Sequence, residues 1–200
     1  MRTSLVFTLA LGLFFCSPFP ISLTGPVAAQ DRPNHTIELF DGRFDDAYVK
    51  TLTIDKITDK LGRPSSVEDG IQGITGPTLK YHPIGLQFSF DTSGHFYAAL
   101  IYLSQSWDAK SVKHFEPFAG NLSPDVSGNT KGESIMASFS TLTPLYKSAE
   151  QRLKEWEAEK IRMRPPNFDD VISIQFAGHS VNFILEKNTK FLERVSIIRK

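Results

Sequence analysis

Cysteine is all but missing from this chain of 200 residues: the one copy, Cys16, stands at the end of an apolar N-terminal run. If that run is removed, the rest has none, and disulfides, thiolate metal sites and cysteine nucleophiles go with it. Charge of one sign is missing too. Twenty-two basic residues balance 22 acidic ones, and loss of residues 1–29 removes only Arg2, leaving about −1. Nucleic-acid binding leaves a basic excess gathered on one face, and no such footprint exists here. Nor is there a polybasic run to hold anionic lipid.

Catalytic and metal motifs are absent as well. The five histidines, His35, His82, His95, His114 and His179, form no HxxxH or HxH pair, so no metal is expected. No serine occupies a Gly-x-Ser-x-Gly elbow. Asp91-Thr92-Ser93-Gly94 has Ser93 where an aspartic protease needs glycine, and it reads as a hairpin turn. Residues 128–134 place Glu133 where a phosphate loop carries lysine, and a carboxylate there repels phosphate. The carboxylates of Asp41-Gly42-Arg43-Phe44-Asp45-Asp46 lack the spacing of a calcium loop and read as solvated turn charges. No cofactor is expected.

What is present begins with a leader. Arg2 gives a basic start, residues 5–15 are apolar apart from Thr8 and Gly12, and Ser17-Pro18 and Pro20 break any helix. Val27-Ala28-Ala29 then offers a small-residue cleavage site. This is the layout of a secretory signal peptide, with a mature start at Gln30. The apolar run is short for a membrane anchor. A lipoprotein reading at Cys16 meets the large Phe15 where a small residue is usual. The expected location is exported, periplasmic or secreted.

Residues 36–40 read as a strand ending at Asp41-Gly42. Thr53 caps a helix carrying Ile54, Ile57 and Leu61, closed by Gly62 and Pro64. Leu86, Phe88 and Phe90 alternate with Gln87 and Ser89, residues 91–94 turn, and 96–103 form a strand buried on both faces or nearly so. Residues 104–134 read as a polar connector with at most one strand of its own. A second, longer helix is expected from Thr143 as cap and Pro144 at its first position, with Leu142, Leu145, Ala149, Leu153 and Trp156 on one face. Residues 164–167 end it, and strands at 171–176, 181–186 and 191–199 close the chain.

The segments 85–91 and 179–185 share a pattern, each followed by a turn and an apolar strand, and each hairpin follows a Thr-capped helix. Two tandem helix-plus-hairpin repeats, 30–120 and 121–200, sharing one core, account for this order. Recurrence of a common supersecondary unit gives the same pattern. The fold class is α+β: an antiparallel sheet with two helices packed on one side.

The helix ending in Leu61-Gly62-Arg63-Pro64, then Leu79-Lys80-Tyr81, then Phe88-Ser89-Phe90 and its hairpin, resembles the repeat of small exported bacterial proteins. These are the outer-membrane-assembly lipoproteins of the SmpA/BamE type and the β-lactamase inhibitor proteins. The segment is also similar to bacterial domains with a Leu-Gly-x-Pro turn and a final Phe-x-Gly, which Phe118-Ala119-Gly120 would supply. The resemblance covers residues 53 to about 120. It implies a layered α+β fold and a binding role, with no catalytic residues to carry over.

Function follows as an expectation: an exported, non-enzymatic module of the bacterial envelope that binds another protein, of inhibitor, immunity or assembly-factor type. Contact would be through an exposed sheet face or the connector. There Trp107, Phe115 and Phe118 interleave with charged residues, either as a partner-binding surface or as plugs pinning the loop to the core. The alternatives are a small hydrolase or lyase built on scattered groups such as His82, Asp91 and His95, and a carrier of a small apolar ligand between sheet and helices.

Overall fold

Leu86, Phe88 and Phe90 are buried while the intervening Gln87 and Ser89 stay partly open, and this two-residue period, repeated strand by strand, builds the molecule. In the computed structural model, described for residues 34–70, 75–158 and 169–200, β1 (Thr36–Glu38), β2 (Arg43–Phe44), β3 (Ala47–Tyr48) and α1 (Ile54–Leu61) come first. Next are β4 (Ser66–Glu68), β5 (Thr78–Tyr81), β6 (Leu86–Phe90) and β7 (Phe96–Tyr102). A connector carries β8 (Ser106–Asp108), β9 (Lys113–Phe115), β10 (Asn121–Ser123) and α2 (Gly132–Ser138). β11 (Leu145–Lys147), α3 (Ala149–Ala158), β12 (Asp170–Gln175), β13 (His179–Leu185) and β14 (Leu192–Arg199) complete the described chain. Residues 1–29, where a leader is expected, lie with Cys16 outside the described residues, as do residues 159–168, where the second helix was expected to end.

The principal sheet has eight strands in the order β11-β12-β13-β14-β7-β6-β5-β4, antiparallel throughout. Each half is a four-strand meander, and the two meet where β7 pairs with β14. The register places Leu79, Phe88, Ala99, Ile197, Val181 and Ile174 on one face. That face is covered. Ile57 of α1, Ile135 of α2 and Ile37, Leu39 and Phe44 around a small sheet of order β10-β1-β2-β3 close over it in one continuous core. At about 25 cal/mol per Å² of apolar surface, this burial is the chief stabilising term. The molecule is an α+β fold with α1 and α2 on one side of its sheet.

Helix α1 forms where the sequence places it. The Thr53 hydroxyl accepts from the Lys56 N–H, and Gly62, at φ 73°, ends it. The second helix does not. Thr143 sits at φ 47° as the end of a 3-10 turn, and the residues after it extend to pair with β12. The cap is Ser148: its hydroxyl accepts from the Gln151 N–H at 3.2 Å, while Gln151 Oε1 accepts from the Ser148 N–H at 2.9 Å. This is a capping box. The helix expected from residue 143 is therefore α3, starting at Ala149. The connector holds three strands and α2, more than its polar sequence indicates, because Phe115 and Ile135, 2% and 1% exposed, anchor it.

Candidate binding face

The opposite face of the large sheet carries the alternate positions. Across its strands run Thr78, Ser89, Ala98, Ile198 and Ser180; then Gln87, Leu100, Ser196, Asn182 and Ser173; then Tyr102, Arg194, Ile184 and Val171. No layer formed by the described residues covers its middle. Leu100, Ile184 and Ile198 stay half-buried and line, with Asn182, Ser196 and Arg194, a groove of about 410 Å³. The groove's polar groups largely satisfy one another. Ser173 donates to Asn182 Oδ1 at 2.7 Å, the Asn182 amide donates to Ser196 Oγ at 3.2 Å, and Arg194 donates to Asp169 at 2.7 Å. Arg152 of α3 reaches the same wall, donating to the Asp169 carbonyl at 2.9 Å.

The other end of this face lies under the β8–β9 ribbon. Phe115 stacks on Tyr102, ring centroids 3.9 Å apart, and on His82 at 4.3 Å. A buried charge cluster fastens the ribbon. Lys80, 5% exposed, donates to Asp108 Oδ2 at 2.8 Å and lies 3.0 Å from Glu68. Asp108 also accepts from the Ser111 hydroxyl, and its Oδ2 lies 3.1 Å from His82 Nε2. Burial alone would raise the Asp108 pKa, but Lys80, Ser111 and His82 together hold its carboxyl well below the usual range. Burial likewise opposes charge on Lys80, and the bonds to Asp108 and Glu68 overcome it and raise its pKa. At the ribbon's tip Val112 is 69% exposed at φ 53°, a costly conformation for a β-branched residue.

The expected site residues separate. Trp107 is 53% exposed and leans on His114, centroids 4.7 Å apart. Phe115 is a plug, and Phe118 packs half-buried against the core, so Trp107 is the one of the three that offers a surface. His82, Asp91 and His95 are not brought together. His82 follows Tyr81, paired with Leu86 at one end of β6, whereas Asp91 and His95 flank its Phe90 end. Asp91 there pairs with Arg199 at 2.6 Å and accepts the Ser93 and His95 N–H groups.

The nearest approach to catalytic geometry is one the sequence did not single out: Ser111, His82 and Asp108. A serine relay needs the hydroxyl on one imidazole nitrogen and the carboxylate on the other. Here both approach Nε2, with Ser111 Oγ at 2.9 Å, and the buried Nδ1 has no partner. The cluster holds the ribbon down; it does not prime a nucleophile. Among the described residues no group of three His, Cys, Asp or Glu is placed to hold a metal ion, and no helix is long and apolar enough to cross a membrane. In the Lys80–Asp108 cluster the contacts from Lys80 and His82 to the ribbon span 26 to 29 residues of sequence, and only the pleat of the strands, which turns Lys80 and Tyr102 to the same face, announces it.

Compared with family models, curated protein sequences and solved structures, the chain matches none.

Proposed function

We propose that this is an exported, non-enzymatic protein-binding module of the bacterial envelope, of inhibitor, immunity or assembly-factor type, whose partner docks on the open sheet face beside Trp107. One observation carries the reading: a packed core covers the middle of one face of the sheet, yet among the described residues the other face keeps partly exposed Leu100, Ile184 and Ile198 in a preformed groove. The groove's hydroxyl and amide groups are bonded to each other, so drying it on contact costs less than drying unpaired polar groups. Trp107, exposed on the ribbon that covers the end of this face, is of the residue type that typically anchors a partner. The resemblance of residues 53–120 to the SmpA/BamE and β-lactamase-inhibitor repeats points the same way. The two meanders are read as tandem repeats of that unit.

The test is position-specific photo-crosslinking in the native host. A benzophenone side chain at Ile184, in the groove, should give a discrete protein adduct. The same group at Val67, 55% exposed but directed to the covered side at the sheet's edge, should not. Equal labelling, or none from Ile184, overturns the proposal. Export is tested separately: mass spectrometry of the host's protein should find a chain starting at Gln30, and an intact Met1 in a cytosolic pool would contradict it.

A further inference from the structure

A second concavity lies on the covered side, at the far edge of the sheet, and is unconnected with the open groove. Helix α2 stops short of filling the corner above β11, β12 and β13, and a pocket of about 370 Å³ remains. Its size falls in the range of small-molecule sites, roughly 300–1,000 Å³. Ile172 and Leu185, both almost fully buried, line it together with Met136 and Gly132 of α2. Gly132 lets the helix lie close here: a Cβ there would stand 2.5 Å from Leu185 Cδ1, and that side chain would have to shift.

The polar end is built around Asp170, 2% exposed. Its Oδ2 accepts from the Tyr146 hydroxyl at 2.6 Å and from the Lys190 ammonium, and its Oδ1 accepts from the Ala149 N–H at 2.8 Å. The buried carboxylate is thus already satisfied, and a ligand cation would have to displace Lys190 to reach it. Lys190 is different. Its side chain is 49% exposed, and an ammonium has three donors, of which Asp170 takes one. Lys131, also lining the pocket, forms no ion pair among the described residues; its ammonium lies 5.8 Å over the Phe191 ring. Glu133 is the opposing charge in the lining, and it stands exposed.

We propose that this pocket binds a small amphipathic carboxylate, its apolar chain against Ile172, Leu185 and Met136 and its head between Lys131 and Lys190. A carboxylate uses the spare N–H donors of both lysines without breaking any bond the pocket already makes. An ammonium is repelled by both lysines, and an alcohol can accept from them but carries no charge to oppose theirs.

The probe is sodium octanoate titrated into the full chain, with the methyl resonances of Ile172, a lining residue that every variant keeps, as readout. Saturable shifts are expected, weaker by about tenfold in Lys131→Ala, an exposed site whose loss should leave the fold intact. Met136→Trp, which fills the pocket, should abolish binding while retaining the folded spectrum. Octylamine and octanol are the controls. No saturable shift, an affinity unchanged in Lys131→Ala, or equal binding of either control overturns the proposal. These results are independent of crosslinking at the open sheet face, so either site can fail alone.

Discussion

Trp107 and Phe115 sit on paired strands of one ribbon and should respond oppositely to truncation. Trp107→Ala removes a half-exposed ring and should change stability by no more than about 0.5 kcal/mol. Phe115→Ala removes a ring 2% exposed and stacked on two neighbours, and should cost about 3–5 kcal/mol. Urea unfolding of the two variants compares them, and a large loss from Trp107→Ala would mark it as structure and not surface. Titration tests the charged groups with a definite sign. The Tyr146 pKa is pushed up to about 12, first by its bond to Asp170 and then by burial, and burial pushes Tyr81 to about 12. Both are raised, so the stability they give is intact below about pH 10 and is lost as pH climbs through 12. Burial raises the Tyr102 pKa as well, so ultraviolet titration should find three of the five tyrosines ionising late while the protein stays folded; uniform ionisation near pH 10 would contradict this. Asp108 and Asp170 are depressed. Their contribution is present above about pH 4 and is lost as pH falls toward the lower values of the folded state. Asp108→Asn should accordingly flatten the acid side of the stability profile.

The elements show which parts of the fold were legible in the chain and which were not. Helix α1 was readable because its cap, apolar spacing and terminal Gly62 lie within ten residues, Thr53 to Gly62. Helix α3 was displaced because Thr143-Pro144 imitates a helix start, while the true signal, Ser148 with Gln151, is weaker to the eye than a proline. Helix α2 was missed altogether: seven residues with a single fully buried apolar side chain, Ile135, give too little periodicity to register. The open face was half legible. The alternation around Phe88 announces a polar side to β6, but residues 96–103 read as buried on both faces, and only pairing with β14 shows Leu100 partly open in the groove. Helix α3 has no fully buried residue, unlike α1 with Ile57. Its amides should therefore exchange with solvent faster than those of α1 in native-state hydrogen exchange, and equal protection would contradict this.

At the scale of the whole molecule, a half-turn about the Leu100–Ser196 pair exchanges β7 with β14 and carries the strand order of each meander onto that of the other. Following the registers outward, Leu86 and Phe88 fall on Val181 and Phe183. The alignment of 85–91 with 179–185 is thus one residue out, and such a slip sets the core-facing Phe88 against the open-facing Asn182. Because one core runs under both meanders, calorimetry should show a single cooperative transition. Two separate transitions would mean the halves are independent domains. The seam has a further consequence, in time. The hairpins β6–β7 and β13–β14 close over turns of a few residues, but β7 and β14 meet across nearly a hundred residues of chain, and distant pairings are slow because their loop must close before any contact rewards it. The centre of the finished sheet should be the last part of it to form. Conservative truncations at the seam, such as Ile197→Val, should hasten unfolding and leave the folding rate nearly untouched, while equivalent changes inside the hairpins slow folding itself.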